Sequence, residues 1–257
     1  MSTIISFVSQ KGGVGKTTSA VNLATAFAFG GYSVLLVDLD PQSSVKFSMG
    51  IKKRISLGTK ELFLELDVPI SDLTEQTEQD NLSFIFSNIE SIRSEKKVFK
   101  LASDETVLQK RLQPILNQYD FIILDAPAST NNMAVNAIYC SGLIVLPLQC
   151  ESLAIKSLKR FLISFTELQQ RLTGKDLRLA GILLTMYDRD IEVHRKVSQQ
   201  VYKALSDSIF DTIIPRNEAI IEASALGKSV ITYQLNSIGA TAYIRLMNEL
   251  VDKFSLR

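Results

Sequence analysis

The chain has 257 residues, 46% hydrophobic and 21% charged, which suits the enclosed core of one large α/β domain spanning residues 1–257. Its net charge of +1 does not announce a nucleic-acid binder, and its single histidine, His194, excludes a histidine-rich metal site. There is no apolar run of about 18 residues and no basic segment ahead of the short run that ends at Val8, so a cytoplasmic chain without a cleaved signal is expected.

In chain order, apolar β-rich runs alternate with stretches of helical period, the pattern of parallel βαβ units covered on both faces. The predicted fold is a doubly wound α/β architecture, a mostly parallel sheet with helices on both faces. Residues 3–9 form the first strand and 16–29 the first helix, which Gly30-Gly31 ends. Between them lies Lys11-Gly12-Gly13-Val14-Gly15-Lys16-Thr17-Thr18, a phosphate cradle. Its glycines remove the Cβ atoms that would keep backbone N–H groups from an anion, and the helix aims its positive end at the same place. Lys16 supplies charge for the outer phosphates of a nucleoside triphosphate, and Thr17 a hydroxyl for Mg²⁺. Gln10 stands where the common motif has glycine, and the variant carries the extra Lys11.

A second strand at 33–38 runs into Asp38-Leu39-Asp40-Pro41. Strand ends in a doubly wound sheet lie beside the phosphate loop, so both aspartates face the nucleotide. Asp40, farther out on the loop, is the choice for orienting the attacking water, and Asp38 is a further metal candidate acting through a water. Residues 51–81 have weak periodicity and read as a surface excursion, followed by a strand at 82–87 and a helix at 105–117. The strand 121–125 closes on Asp125 after four apolar residues, a Walker B pattern in which Asp125 holds Mg²⁺ through a water. Further strands are predicted at 142–147 and 180–185, with a weaker one at 210–214, and helices at 153–172, 191–205 and 240–254. Cys140 and Cys150 read as buried thiols and His194 as a solvated helix residue. The first strand begins almost at Met1, so no DNA-reading domain is expected ahead of it.

At this point the chain resembles the ParA/Soj partition ATPases of the wider ParA/MinD family, P-loop NTPases with a deviant Walker A. The matching blocks are Gln10 to Asn22 with the extra Lys11, Val34 to Gln42, Tyr119 to Pro127, Leu146-Pro147-Leu148-Gln149-Cys150-Glu151, Gly181 to Met186 and Ile214-Pro215-Arg216-Asn217. The resemblance implies slow, partner-stimulated ATP hydrolysis with Mg²⁺ in a homodimer that sandwiches two ATP molecules. Lys11 would reach across to the partner's phosphates, and a second lysine five residues before Lys16 suits action in trans, as an arginine finger acts. It further implies that Lys16 and Asp40 serve catalysis, that Thr18 touches the α-phosphate side, and that Pro215 and Asn217 lie near the adenine. Relatives bind DNA nonspecifically in the ATP state, on the nucleoid, and are released by a ParB-like partner.

Two departures accompany the match. The stretches after Met186 and after Asn217 lack the arginines that many relatives use for DNA, leaving Lys156, Lys159, Arg160, Arg189, Arg195, Lys196, Lys203, Arg216 and Lys228 as candidate phosphate contacts. Ala128 stands where many relatives have a second proline. Other readings compete with a plasmid or chromosome partition switch, among them a positioning ATPase for a non-DNA cargo. A MinD-like membrane positioner would use the amphipathic last helix, although Glu249, Asp252 and its modest length favour ordinary packing and make a membrane partner the lesser expectation. A metabolic P-loop enzyme sits poorly with Lys11, and an iron–sulfur reductase would need a cysteine before Asp125 as well as after it.

Overall fold

The computed structural model describes residues 2–64, 67–77, 79–172 and 176–256. Seven strands, β1 (Thr3–Phe7), β2 (Val34–Asp38), β3 (Glu75–Gln76), β4 (Leu82–Ile85), β5 (Phe121–Asp125), β6 (Leu143–Gln149) and β7 (Arg178–Thr185), form one sheet in the order β3-β4-β2-β5-β1-β6-β7. Every pairing is parallel except the antiparallel β3–β4 edge. The strands read as continuous apolar runs because both faces are covered, and alternate residues feed opposite layers.

The helices are α1 (Lys16–Phe29), α2 (Ser44–Ser48), α3 (Thr59–Leu64), α4 (Ile70–Leu73), α5 (Ile92–Leu101), α6 (Val107–Leu112), α7 (Asn132–Cys140), α8 (Ala154–Arg171), α9 (Glu192–Leu205), α10 (Glu218–Ala225), α11 (Val230–Tyr233) and α12 (Ile238–Phe254). One core joins Ile4, Leu35, Ile122, Leu124 and Ile182 of the sheet to residues of α3 to α9. The other joins Ile5, Leu36, Ile123 and Val145 to α1, α2 and α10 to α12. Helix α1 is buried on nearly every side because it sits between the sheet and α12, with Phe27 stacked on Phe121 at 3.9 Å between ring centroids.

Several predicted elements are redrawn. The 51–81 span is no simple surface excursion, since Leu62 and Phe63 of α3 and Ile70 and Leu73 of α4 enter the first core and β3 extends the sheet; Glu65, Leu66 and Glu78 of that span lie outside the described residues. No strand forms over 210–214; isolated bridges flank the run at Ile209 and Pro215. Phe210 covers Gly181 so closely that a Cβ there would lie 2.8 Å from its ring. The 105–117 helix breaks at Pro114, which has no N–H to donate, and ends in a 3₁₀ turn, Gln113–Ile115. Helix α12 sinks Ala240, Tyr243, Leu246, Met247 and Leu250 into the second core, so its apolar face is already occupied.

The loop after α2 meets the end of α10 at Gly50 and Gly227. A Cβ on Gly227 would stand 2.3 Å from the Gly50 Cα, and its φ of +67° is left-handed. Gly227→Ala is expected to cost about 2–4 kcal/mol in urea unfolding, whereas Gly142→Ala, where the added Cβ meets nothing within 4 Å, should change stability little.

Candidate functional site

The site grows from the carboxyl ends of β1, β2 and β5. The loop after β1 turns through Gly13 (φ +75°) and Gly15 (φ +83°), left-handed conformations that favour glycine. Added Cβ atoms at Gly12 and Gly13 would meet nothing within 4 Å, so the loop borders open space into which its backbone can face a ligand. Lys16 and Val14 are buried, while Thr17 and Thr18 remain partly exposed on the first turn of α1.

The strand register sets Asp38 directly beside Asp125. Both are fully buried. Removal from water raises the Asp38 carboxyl well above the usual carboxylate range, and the Asp125 charge raises it further. Burial likewise pushes Asp125 up to about 7, against the opposing effects of the Thr17 hydrogen bond and Lys16. Thr17 Oγ1 donates to Asp125 Oδ2 at 2.6 Å, and Asp125 Oδ1 is buried with no hydrogen-bond partner among the described residues. A hydroxyl and a carboxylate with a free oxygen, below a loop of backbone N–H groups, form an oxygen donor set suited to a hard cation such as Mg²⁺. Asp38 is differently employed: its two oxygens accept the Asp40 N–H at 3.0 Å and the Val45 N–H at 3.2 Å, folding the loop that carries Asp40. Thr59 Oγ1 holds the Asp38 carbonyl at 2.5 Å, a brace the sequence did not announce. Asp40 itself is partly exposed, with Oδ1 accepting the Gln42 N–H at 3.0 Å.

The two loop lysines diverge. Lys16 is buried beside Asp125, whereas Lys11 is half-exposed and ion-paired to Glu151 at the end of β6. Pro215 and Asn217 line a cavity of about 530 Å³ together with Thr18, Ser19, Met186 and Tyr243. The Asn217 Oδ1 is buried without a partner among the described residues, an acceptor free to meet a donor such as an exocyclic amino group.

His194 is not the solvated residue expected. It is buried on α9, where its Nδ1 accepts the Asp188 N–H at 3.0 Å. Its spacing with Val197 and Val201, all on the buried side of α9, was the signal for this. Both cysteines are buried, as expected, and burial pushes the Cys150 thiol up to about 11. The basic residues are scattered: Lys156, Lys159 and Arg160 on α8, Arg195, Lys196 and Lys203 on α9, Arg189 and Arg216 on loops, and Lys228 beside α10.

A doubly wound sheet with a phosphate loop after β1 and a metal-binding donor set at the ends of its neighbours defines a P-loop nucleotide-binding protein. A family model described as an AAA domain matches residues 2–179. The chain is 36% identical over 251 residues to the sporulation initiation inhibitor protein Soj of Bacillus subtilis (strain 168), covering 97% of this chain and 98% of that protein. It is 34% identical over 250 residues to the chromosome partitioning protein ParA of Myxococcus xanthus, covering 97% and 88%. The chain belongs to the ParA/Soj family. Among solved structures it is similar to cobyrinic acid a,c-diamide synthase from Mycobacterium smegmatis with bound ADP and magnesium, with TM-score 0.83, 28% identity and coverage of 99% and 96%. It is also similar to the septum site-determining protein MinD of Pyrococcus horikoshii complexed with Mg-ADP, with TM-score 0.81, 25% identity and coverage of 99% and 98%.

The buried carboxylates carry a pH signature. Between about pH 4 and 7 the native Asp125 keeps a proton that its unfolded counterpart has released, so stability falls as pH rises through that window and the full cost is present above it. Asp125→Asn is therefore expected to match the wild-type chain near pH 4 and to exceed it by about 1–3 kcal/mol at pH 8 in chemical unfolding without nucleotide. Excess Mg²⁺ and ADP should reverse that order.

Proposed function

We propose that this chain is an ATP-dependent, dimerising partition ATPase. The single observation that carries the reading is the division of labour between the loop lysines: Lys16 is buried against the carboxylates, whereas Lys11 is held at the surface by Glu151. One lysine serves the subunit's own phosphates, and the other is available to a second copy.

In this reading Lys11, Gly12, Gly13, Val14, Gly15, Lys16, Thr17 and Thr18 bind the ATP phosphates, and Pro215 and Asn217 contact the adenine. Thr17 and Asp125 hold Mg²⁺, which supplies charge neutralisation at the phosphates when bound. Asp38 serves chiefly to fold the loop of Asp40, and Asp40 orients the water that attacks the terminal phosphate. Lys11 releases Glu151 when a partner subunit presents its nucleotide, so the dimer persists only while the terminal phosphate is present. Exposed cations on α8 and α9, which share one layer, supply nonspecific contacts to DNA phosphates. A ParB-like protein stimulates hydrolysis and ends the state, with the chain working in the cytoplasm on the nucleoid and moving plasmid or chromosomal cargo. The names and near full-length similarity of the Soj and ParA relatives support this reading. The membrane-positioning alternative is disfavoured because the apolar face of α12 is packed in the core. No helix among the described residues is long and apolar enough to cross a membrane.

Cosedimentation with DNA and with anionic vesicles separates the branches. DNA retention should require ATP, weaken steeply with salt and vanish in Lys16→Ala. Asp40→Ala should hold ATP in a long-lived dimer with hydrolysis reduced at least about 100-fold. Retention on vesicles alone, or wild-type hydrolysis by Asp40→Ala, would contradict the reading.

A further inference from the structure

We propose that Thr185, the last residue of β7, is a positioning residue for the phosphates beyond the α-phosphate, acting through the Val14–Gly15 peptide of the loop. Thr185 is 171 residues from Val14 in sequence and buried, and its Oγ1 donates to the Val14 carbonyl at 2.8 Å. In a planar trans peptide the C=O and the following N–H point in opposite directions. Fixing the Val14 carbonyl toward β7 therefore turns the Gly15 N–H away from it, as a phosphate donor in the loop must be turned.

The need for such a clamp follows from Gly15. With φ at +83° and no Cβ, this residue sits in a conformation whose alternatives cost a glycine little, so the preceding peptide can rotate unless something holds it. Rotation would strand the Val14 carbonyl and the Thr185 hydroxyl in a buried place, each without its partner. The side chain also borders the space beside Gly15, where an added Cβ would lie 3.7 Å from the Thr185 Cβ. At the other shoulder of the loop, Ser9 Oγ lies 3.2 Å from both the N and the O of Lys11.

The same strand end carries the cavity assigned to the base. Met186 follows in a left-handed conformation at φ +49° and lines that cavity. Tyr187 N–H then donates to the Ile214 carbonyl at 3.1 Å, and Arg216 N–H donates to the Tyr187 carbonyl at 2.9 Å. One short stretch thus fixes the phosphate loop through Thr185 and the base loop through Tyr187, setting the span between them.

The inference rests on nucleotide binding at the loop and not on DNA or a partner protein. The test measures dissociation constants of ADP and AMP, with Mg²⁺, by competition against a fluorescent ADP analogue. Thr185→Val, nearly isosteric but without a donor, should bind ADP about five- to tenfold more weakly and AMP as the wild-type chain does. Thr185→Ser, which restores the hydroxyl, should lie within about twofold of wild type for both, and Thr185→Ala should repeat the valine pattern without its extra methyl. Undiminished ADP binding in Thr185→Val and Thr185→Ala, equal losses for ADP and AMP, or no rescue by serine would overturn the proposal. A wild-type chain that fails to bind ADP would overturn it together with the ATPase reading, whereas failure to bind DNA would leave it standing.

Discussion

Two carboxylates lie side by side on adjacent strands, Asp38 on β2 and Asp125 on β5, both out of contact with water. Buried like charges at such a place are costly: burial raises both carboxyls, and the Asp125 charge raises Asp38 further. Much of the site answers that constraint. Asp38 spends its oxygens on the backbone N–H groups of Asp40 and Val45, Thr17 donates to one oxygen of Asp125, and Lys16 is buried nearby. The remaining Asp125 oxygen has no protein partner and is the natural place for a cation to act. A nucleotide phosphate above the loop would bring that cation with it, so binding and charge neutralisation become one event.

The proposed dimer gives the two loop lysines different parts. Lys16 lies inside the charge balance of its own subunit, whereas Lys11 is paired, among the described residues, with the half-exposed Glu151. An exposed pair of this kind is held by a fraction of a kcal/mol to about 1 kcal/mol, little enough for a partner's phosphates to displace. In the proposed dimer, a composite site would require Lys11 to release Glu151 and nothing to unfold.

Legibility in the sequence followed distance along the chain. The phosphate loop could be read because its chemistry sits in eight consecutive residues, and Asp38 and Asp125 because parallel-sheet topology assigns strand ends to one side. The single Thr185–Val14 hydrogen bond and the Thr59 brace could not, since each joins segments whose proximity only the folded sheet creates. The 51–81 span was misjudged because α3 and α4 are too short to show a period, although Leu62, Phe63, Ile70 and Leu73 are core residues. His194 reads as solvated from its polar identity alone, yet its place beside Val197 and Val201 puts it on the buried face of α9.

The central claim is that the ionisation of Asp125 is coupled to capture of a magnesium–nucleotide. Calorimetric titration of Mg²⁺ and ADP into the chain, in buffers of different ionisation enthalpy, counts the protons released on binding. With Asp125 raised to about 7, the wild-type chain should release more protons at pH 6 than Asp125→Asn does, by approaching one per site, and the difference should fade by about pH 8.5. Equal proton counts for the two chains at pH 6 would contradict the account.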